Sequence, residues 1–162
     1  MSKVLKFGGA SVKSPKAIYN LKEIISSYKE NLVIVISAID KTTNKLLFSG
    51  ANNPIIIIRN NQLITLEADR QPIGKYSFGK PFTQQEITLN SEDTIYLYTD
   101  GFADQFGGER GKKYKSANLL KFFIKTAKLT LRNQKDALEE EFTNWKGDFE
   151  QIDDVCIMGF KI

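Results

Sequence analysis

The sequence predicts an α+β chain, and three observations carry that prediction. The front reads strand–helix–strand, the middle is β-rich, and two amphipathic helices precede a closing strand. At the front, Lys3 to Phe7 is a short strand that Gly8-Gly9 ends. Ser14 then suits an N-cap, with Pro15 at the first helical position. Ile18, Leu21, Ile25 and Tyr28 form one apolar stripe at helical spacing, and Asn31 closes it. Leu32 to Ile36 is a continuous apolar run of the kind found in buried strands. A strand–helix–strand unit over residues 3–37 predicts a parallel pair.

The character changes at the polar stretch Lys41-Thr42-Thr43-Asn44-Lys45. Beyond it, Ile55 to Ile58 and Leu63 to Leu66 flank two adjacent asparagines, Asn60 and Asn61, which tolerate positive φ and predict a tight hairpin. Phe82 to Leu89 and Thr94 to Thr99 are further strand candidates. Leu119, Leu120, Phe123, Ile124 and Ala127 share one helical face, and Leu138, Phe142 and Trp145 share another. For the second helix, Asn133 is the expected N-cap and Gly147 the expected end. Val155 to Ile162 is the closing strand.

Composition narrows the chemistry. The chain has 162 residues, 41% of them hydrophobic and 26% charged, with 23 Lys+Arg against 19 Asp+Glu. The lysines are scattered. The densest run, Lys112-Lys113-Tyr114-Lys115, reads as a solvated loop before a helix, so no nucleic-acid partner is expected. There is no histidine, which excludes Ser-His-Asp and Cys-His catalysis and every imidazole-ligated metal site. The single cysteine, Cys156, lies in an apolar run and is expected to be buried. No apolar stretch approaches membrane-spanning length, and the start lacks a signal-peptide pattern, so a cytoplasmic protein without a membrane partner is expected.

The candidate site is acidic. Asp100-Gly101 follows the strand ending at Thr99, and Asp153-Asp154 precedes the closing strand. If those strands are antiparallel neighbours, three carboxylates gather at one rim of a sheet. Like charges so placed repel, and a hard divalent cation with oxygen ligands, Mg²⁺ or Mn²⁺, offsets them. On spacing alone, a plain Asp-Gly turn and a solvated loop are the favoured reading, since Asp-Gly is a common turn signal.

The surrounding wording is more specific. Leu47-Phe48-Ser49-Gly50-Ala51-Asn52-Asn53-Pro54, Asp69-Arg70-Gln71-Pro72-Ile73-Gly74, Tyr98 through Gly108, Trp145-Lys146-Gly147 and Gln151-Ile152-Asp153-Asp154-Val155-Cys156 occur in this order. Together, over about residues 46–162, they resemble the C-terminal half of PPM-type protein serine/threonine phosphatases, in the branch typified by the sporulation stage II protein E phosphatase. The resemblance implies a β-sandwich with flanking helices and two Mn²⁺ or Mg²⁺ ions. It also implies hydrolysis of a phosphoserine or phosphothreonine protein by metal-activated water, with no catalytic residue separate from the metal ligands. It maps Asp100 and Asp153 to ligand positions, Asp154 to a possible one, and Gly101 to the turn beside them. Asp104 matches a family block but is expected to be structural. The family's upstream acidic blocks have no counterpart in residues 1–45, where Glu23, Glu30 and Asp40 are the only acidic residues and none precedes glycine. The expected site is therefore incomplete, and weakly active or inactive alone.

Residues 1–47 are similar to something else. Lys6-Phe7-Gly8-Gly9-Ala10-Ser11-Val12, Val35 to Ile39 and Thr43 to Leu47 resemble the N-terminus of an aspartate kinase, an amino-acid-kinase fold. That resemblance maps Lys6, Gly8 and Gly9 to the nucleotide phosphates, and Ser37 and Thr43 to the aspartate substrate. Ala10 stands where threonine is usual and Lys13 where glycine is usual. The expected organisation is thus a βαβ fragment of amino-acid-kinase type over residues 1–45, followed by a partial PPM-type β-sandwich over residues 46–162. Half a sandwich leaves an open sheet edge that a second copy could cover as a homodimer. Two alternatives to a phosphatase stand: an aspartate kinase fragment, and a non-catalytic module that binds a metal or a partner.

Overall fold

Two asparagines turn the chain between the last two strands of its four-stranded sheet. Asn60 and Asn61 have φ of 50° and 61°, the pair of positive values that a two-residue turn needs to follow the twist of its strands. They join β5 (Ile55–Arg59) to β6 (Gln62–Leu66) in register from Ile55↔Leu66 to Arg59↔Gln62. The structure is a computed structural model. It describes residues 3–7, 32–36, 38–40, 44–71 and 80–162, with side chains for the last two stretches.

The chain divides into two units, one of Met1–Ser49 with Gly74–Leu89 and one of Gly50–Ile73 with Asn90–Ile162. In the first, β1 (Lys3–Phe7) and β2 (Leu32–Ile36) pair in parallel from Lys3↔Leu32 to Phe7↔Ile36. The parallel pair is as the apolar runs predict. The helix expected between them lies outside the described residues. A separate antiparallel sheet runs in the order β3 (Ala38–Asp40), β4 (Lys45–Phe48), β7 (Gln85–Thr88). In β4, Leu46 and Phe48 are buried while Lys45 and Leu47 are exposed, the period-two alternation of a strand with one covered face. Strand β7 is shorter than the predicted Phe82–Leu89.

Among the described residues, most of the buried side chains lie in the second unit. Its antiparallel sheet has the order β11 (Ile157–Lys161), β8 (Thr94–Tyr98), β5, β6. Ile55 to Ile58 are all buried, as a continuous apolar run should be. Ile56, Ile58 and Tyr96 form a cluster with Phe102, Tyr114, Leu119 and Phe123. The last two come from α2 (Ser116–Thr126). Phe123 stacks on Tyr96 at 4.1 Å and meets Tyr98 edge-on at 5.8 Å. Leu138, Phe142 and Trp145 of α3 (Leu131–Lys146) pack on the same cluster, as their spacing predicts. At the far end of the sheet, buried Asp93 takes a two-pronged ion pair from Arg59, 2.6 Å at its shortest, and also the N–H of Asn90.

Helix α3 begins differently from the sequence expectation. Its N-cap is Thr130, whose hydroxyl accepts the N–H of Asn133 at 3.2 Å. Asn133 is therefore the third residue of the first turn and the donor in the cap. Thr130→Ala is expected to cost ~1 kcal/mol, read as a lower urea midpoint with an unchanged slope. The other end is as expected, with Gly147 at φ 51° and its N–H donated to the carbonyl of Thr143.

Burial sets the alkaline limit of this core. It pushes the Tyr96 hydroxyl up to about 12, and it raises those of Tyr114, beside Glu141, and Tyr98, near Glu67. The folded chain therefore holds these protons more tightly than the unfolded chain does. Their contribution is complete below the ordinary tyrosine value near 10 and is lost as pH rises through the raised values. Stability measured by urea unfolding should be flat from pH 8 to about 9.5 and then fall. The fall should be shallower in Tyr96→Phe.

Candidate acidic rim

Strands β8 and β11 are antiparallel neighbours, paired from Ile157↔Tyr98 to Lys161↔Thr94. The end of one therefore meets the start of the other, and this places Asp100-Gly101 against Asp153-Asp154. The strand predicted over Val155–Ile162 starts two residues late, because its first residues are used differently. Thr99 donates its hydroxyl to the carbonyl of Asp154 at 2.8 Å and accepts the N–H of Cys156 at 2.9 Å. Its own N–H goes to the carbonyl of Cys156 at 3.0 Å. Thr99 thus pins the acidic segment to the end of β8. The sequence reading missed this role, since a threonine at a strand end carries no distinguishing pattern. Cys156 is only half-buried, against the expectation of burial, because it sits at this rim rather than inside the strand.

Asp100 stands just before a one-turn helix, α1 (Gly101–Asp104), and its carbonyl accepts the N–H of Asp104 at 2.9 Å. Gly101 is buried with its backbone against Asp154, and a Cβ placed there would lie 2.5 Å from the Asp154 carbonyl oxygen. Absence of a side chain is what lets the two segments approach. Asp100, Asp153 and Asp154 are all exposed. One Asp153 carboxylate oxygen accepts the N–H of Asp154 at 2.7 Å. Asp104, expected to be structural, is ion-paired with Lys113 at 2.9 Å.

The lysine-rich segment is also more ordered than a solvated loop. Lys112–Lys113 is a short strand, β10, paired with β9 (Phe106–Gly107), and Tyr114 is buried. The sequence signals neither two-residue strand. The hairpin is fixed by its neighbours: Gly108 donates to the carbonyl of Trp145 at 2.9 Å, and the indole N–H of Trp145 reaches the carbonyl of Gln105 at 3.0 Å.

Of the second set of candidate residues, Lys6 lies in β1, opposite Val35. Gly8, Gly9, Ser37 and Thr43 lie outside the described residues.

The acidic rim suits Mn²⁺ or Mg²⁺ in donor chemistry and falls short in donor number. Carboxylate and carbonyl oxygens are what these ions prefer. Yet among the described residues no three His, Cys, Asp or Glu side chains gather closely enough to hold a metal ion. Among the described residues, no helix is long and apolar enough to cross a membrane.

Comparison with known proteins agrees with this architecture. The SiaA-PP2C domain of Pseudomonas aeruginosa superposes with a TM-score of 0.71 at 29% identity, over 76% of this chain and 49% of that one. The phosphatase domain of the cell fate determinant SpoIIE from Bacillus subtilis, presoaked with manganese, superposes with a TM-score of 0.57 at 21% identity, over 91% and 64%. An N-terminal stretch of 48 residues is 48% identical to chloroplastic aspartokinase 3 of Arabidopsis thaliana and similarly to aspartokinase 2, at 50%. This chain spans 9% of each of those enzymes, and 49% and 64% of the two solved domains. The α+β fold is thus of the PP2C kind, while an amino-acid-kinase βαβ unit is not established. A model of the stage II sporulation protein E family matches residues 11–162, nearly the whole chain, and the chain belongs to that family.

Proposed function

We propose that this chain is the C-terminal half of a metal-dependent protein serine/threonine phosphatase. In this reading Asp100 and Asp153, with Asp154 beside them, supply carboxylates to a Mn²⁺ or Mg²⁺ site. The single observation that supports it most is the β8–β11 register, which sets Asp100 beside Asp153-Asp154 at one rim. Membership in the stage II sporulation protein E family and the PP2C-like fold support it further. The bound metal would supply an activated water for attack on a phosphoserine or phosphothreonine ester. This chain's own part is to hold the carboxylates in place: Thr99 fixes Asp154, and Gly101 permits the close approach. With fewer than three such side chains gathered among the described residues, the half-site binds metal weakly and turns over slowly or not at all alone. We assign the phosphatase part to residues 46–162 and the kinase-like part to residues 1–45, and we place a second copy at the open sheet edge.

Calorimetry with Mn²⁺ and hydrolysis of p-nitrophenyl phosphate test the reading together. Mn²⁺ should bind, and Asp100→Asn should weaken it about tenfold, or ~1.4 kcal/mol. No heat of binding would overturn the metal role. Binding with hydrolysis no faster than buffer would favour a second reading, a module that holds a metal or partner without turnover. The shortage of donors is the observation that favours it. For the aspartokinase-like stretch, nucleotide binding lost in Lys6→Ala would support a kinase fragment instead.

A further inference from the structure

Gln105 does nothing in the reading above, yet it is the most fully enclosed polar side chain near the rim, with 0% of its surface exposed. It follows directly on α1, five positions after Asp100. Its side-chain N–H groups go to two carbonyls, that of Phe106 at 3.0 Å and that of Glu150 at 2.8 Å. Its own carbonyl accepts the N–H of Tyr114 and the indole N–H of Trp145, both at 3.0 Å. One residue thus ties together the β9–β10 hairpin, the end of α3 and the loop that leads to Asp153.

That loop has little else to hold it. Residues 147–154 are all exposed, so no core packing sets their position. Its first residues are tied to the end of α3, Phe149 N–H to the Lys146 carbonyl and the Lys146 ammonium to the Gly147 and Phe149 carbonyls, while beyond them the bonds are internal: Gln151 donates to the Asp153 carbonyl, and Asp154 N–H to the Asp153 carboxylate. Bonds within a loop shape it without placing it. Placement comes from outside, at Phe149 by Lys146, at Glu150 by Gln105 and at Asp154 by Thr99, and of these Gln105 is the one between the helix end and the acidic pair.

The chemistry of Gln105 argues for the same role. Only the amide's NH₂ end can serve two carbonyl acceptors, so the amide's orientation is determined. Its oxygen, buried, meets no donor among the described residues. A buried amide with an unmatched oxygen is a poorer packing element than leucine of similar size. The side chain is accounted for by its two donors and by what they hold.

We infer that Gln105 is a positioning residue, a clamp that fixes residues 148–154, and so Asp153, at a set distance from Asp100. The inference rests on the reading of Asp100 and Asp153 as carboxylates of one site.

Hydrogen exchange on the full chain, paired with Mn²⁺ calorimetry, tests it. In Gln105→Leu, amides of residues 148–154 should exchange about tenfold faster or more while those of α2 keep wild-type protection, and Mn²⁺ should bind about tenfold more weakly. If Gln105→Leu fails to fold, Gln105→Asn carries the same comparison, since it keeps the amide but is too short to reach the Glu150 carbonyl. Unchanged exchange over 148–154 in a folded variant would overturn the clamp. So would faster exchange with wild-type Mn²⁺ affinity, which would leave Gln105 a merely structural tie. If the wild-type chain itself binds no Mn²⁺, the metal reading is what fails, and exchange alone decides whether Gln105 clamps the loop.

Discussion

Gly101→Ala is expected to weaken Mn²⁺ binding more than tenfold and to destabilise the fold by ~1–2 kcal/mol. The added methyl carbon would sit 2.5 Å from the Asp154 carbonyl oxygen, 2.9 Å from its carbon and 3.4 Å from the Asp153 carbonyl carbon. All three are backbone atoms, so no rotamer change relieves the contact. Neither partner moves freely. Asp154 is held by Thr99, and Gly101 continues from a strand paired along its length with β11. Forcing a methyl group into a packed contact costs ~1–3 kcal/mol. Two effects oppose each other here, because Gly101 opens a helical turn and alanine is the better helix former by ~1 kcal/mol. The clash is the larger, since it can be relieved only by opening the rim. The prediction is checked by urea unfolding and calorimetry side by side. An alanine variant as stable as wild type, with unchanged Mn²⁺ affinity, would show that the two segments need not touch.

Phe123→Ala is expected to cost ~3–5 kcal/mol, enough to bring a domain of ordinary stability close to unfolding. The ring is 0% exposed and lies flat against Tyr96, 4° from parallel, with Tyr98 at its edge. Removing it leaves a cavity between α2 and the sheet and strips both tyrosines of an aromatic partner. Near-UV circular dichroism should lose the tyrosine signal even where far-UV helicity survives. Leu129→Ala is the control. That side chain is 41% exposed, and its loss should stay within ~0.5 kcal/mol.

How far the sequence could be read depended on the range of the interaction concerned. The asparagine hairpin, the stripes of α2 and α3 and the glycine end of α3 are local. Their residue types state their conformations directly, and the structure has them. The meeting of Asp100 with Asp153-Asp154 was legible only conditionally, because it depends on β8 and β11 being neighbours. Thr130 and Asn133 are both good capping residues, and only tertiary placement chose between them. The β9–β10 hairpin and α1 were missed because two- and four-residue elements are too short to show a period. Gln105 was invisible for a different reason. A buried glutamine looks like a surface one until the carbonyls that it serves are known. The number of carboxylates that gather was also out of reach, since exposed loops aim their side chains by bonds that no pattern encodes.

The bond from Thr99 to Asp154 joins residues 55 apart in sequence, whereas the β5–β6 hairpin closes across two. Loop-closure entropy makes the first contact slow to form and the second fast. The acidic rim is therefore expected to assemble late, after the aromatic cluster has drawn α2 and α3 against the sheet and shortened the span left to close. Until then, Asp100 stays apart from Asp153-Asp154. The two acidic segments meet only once the rest of the unit is in place to hold them.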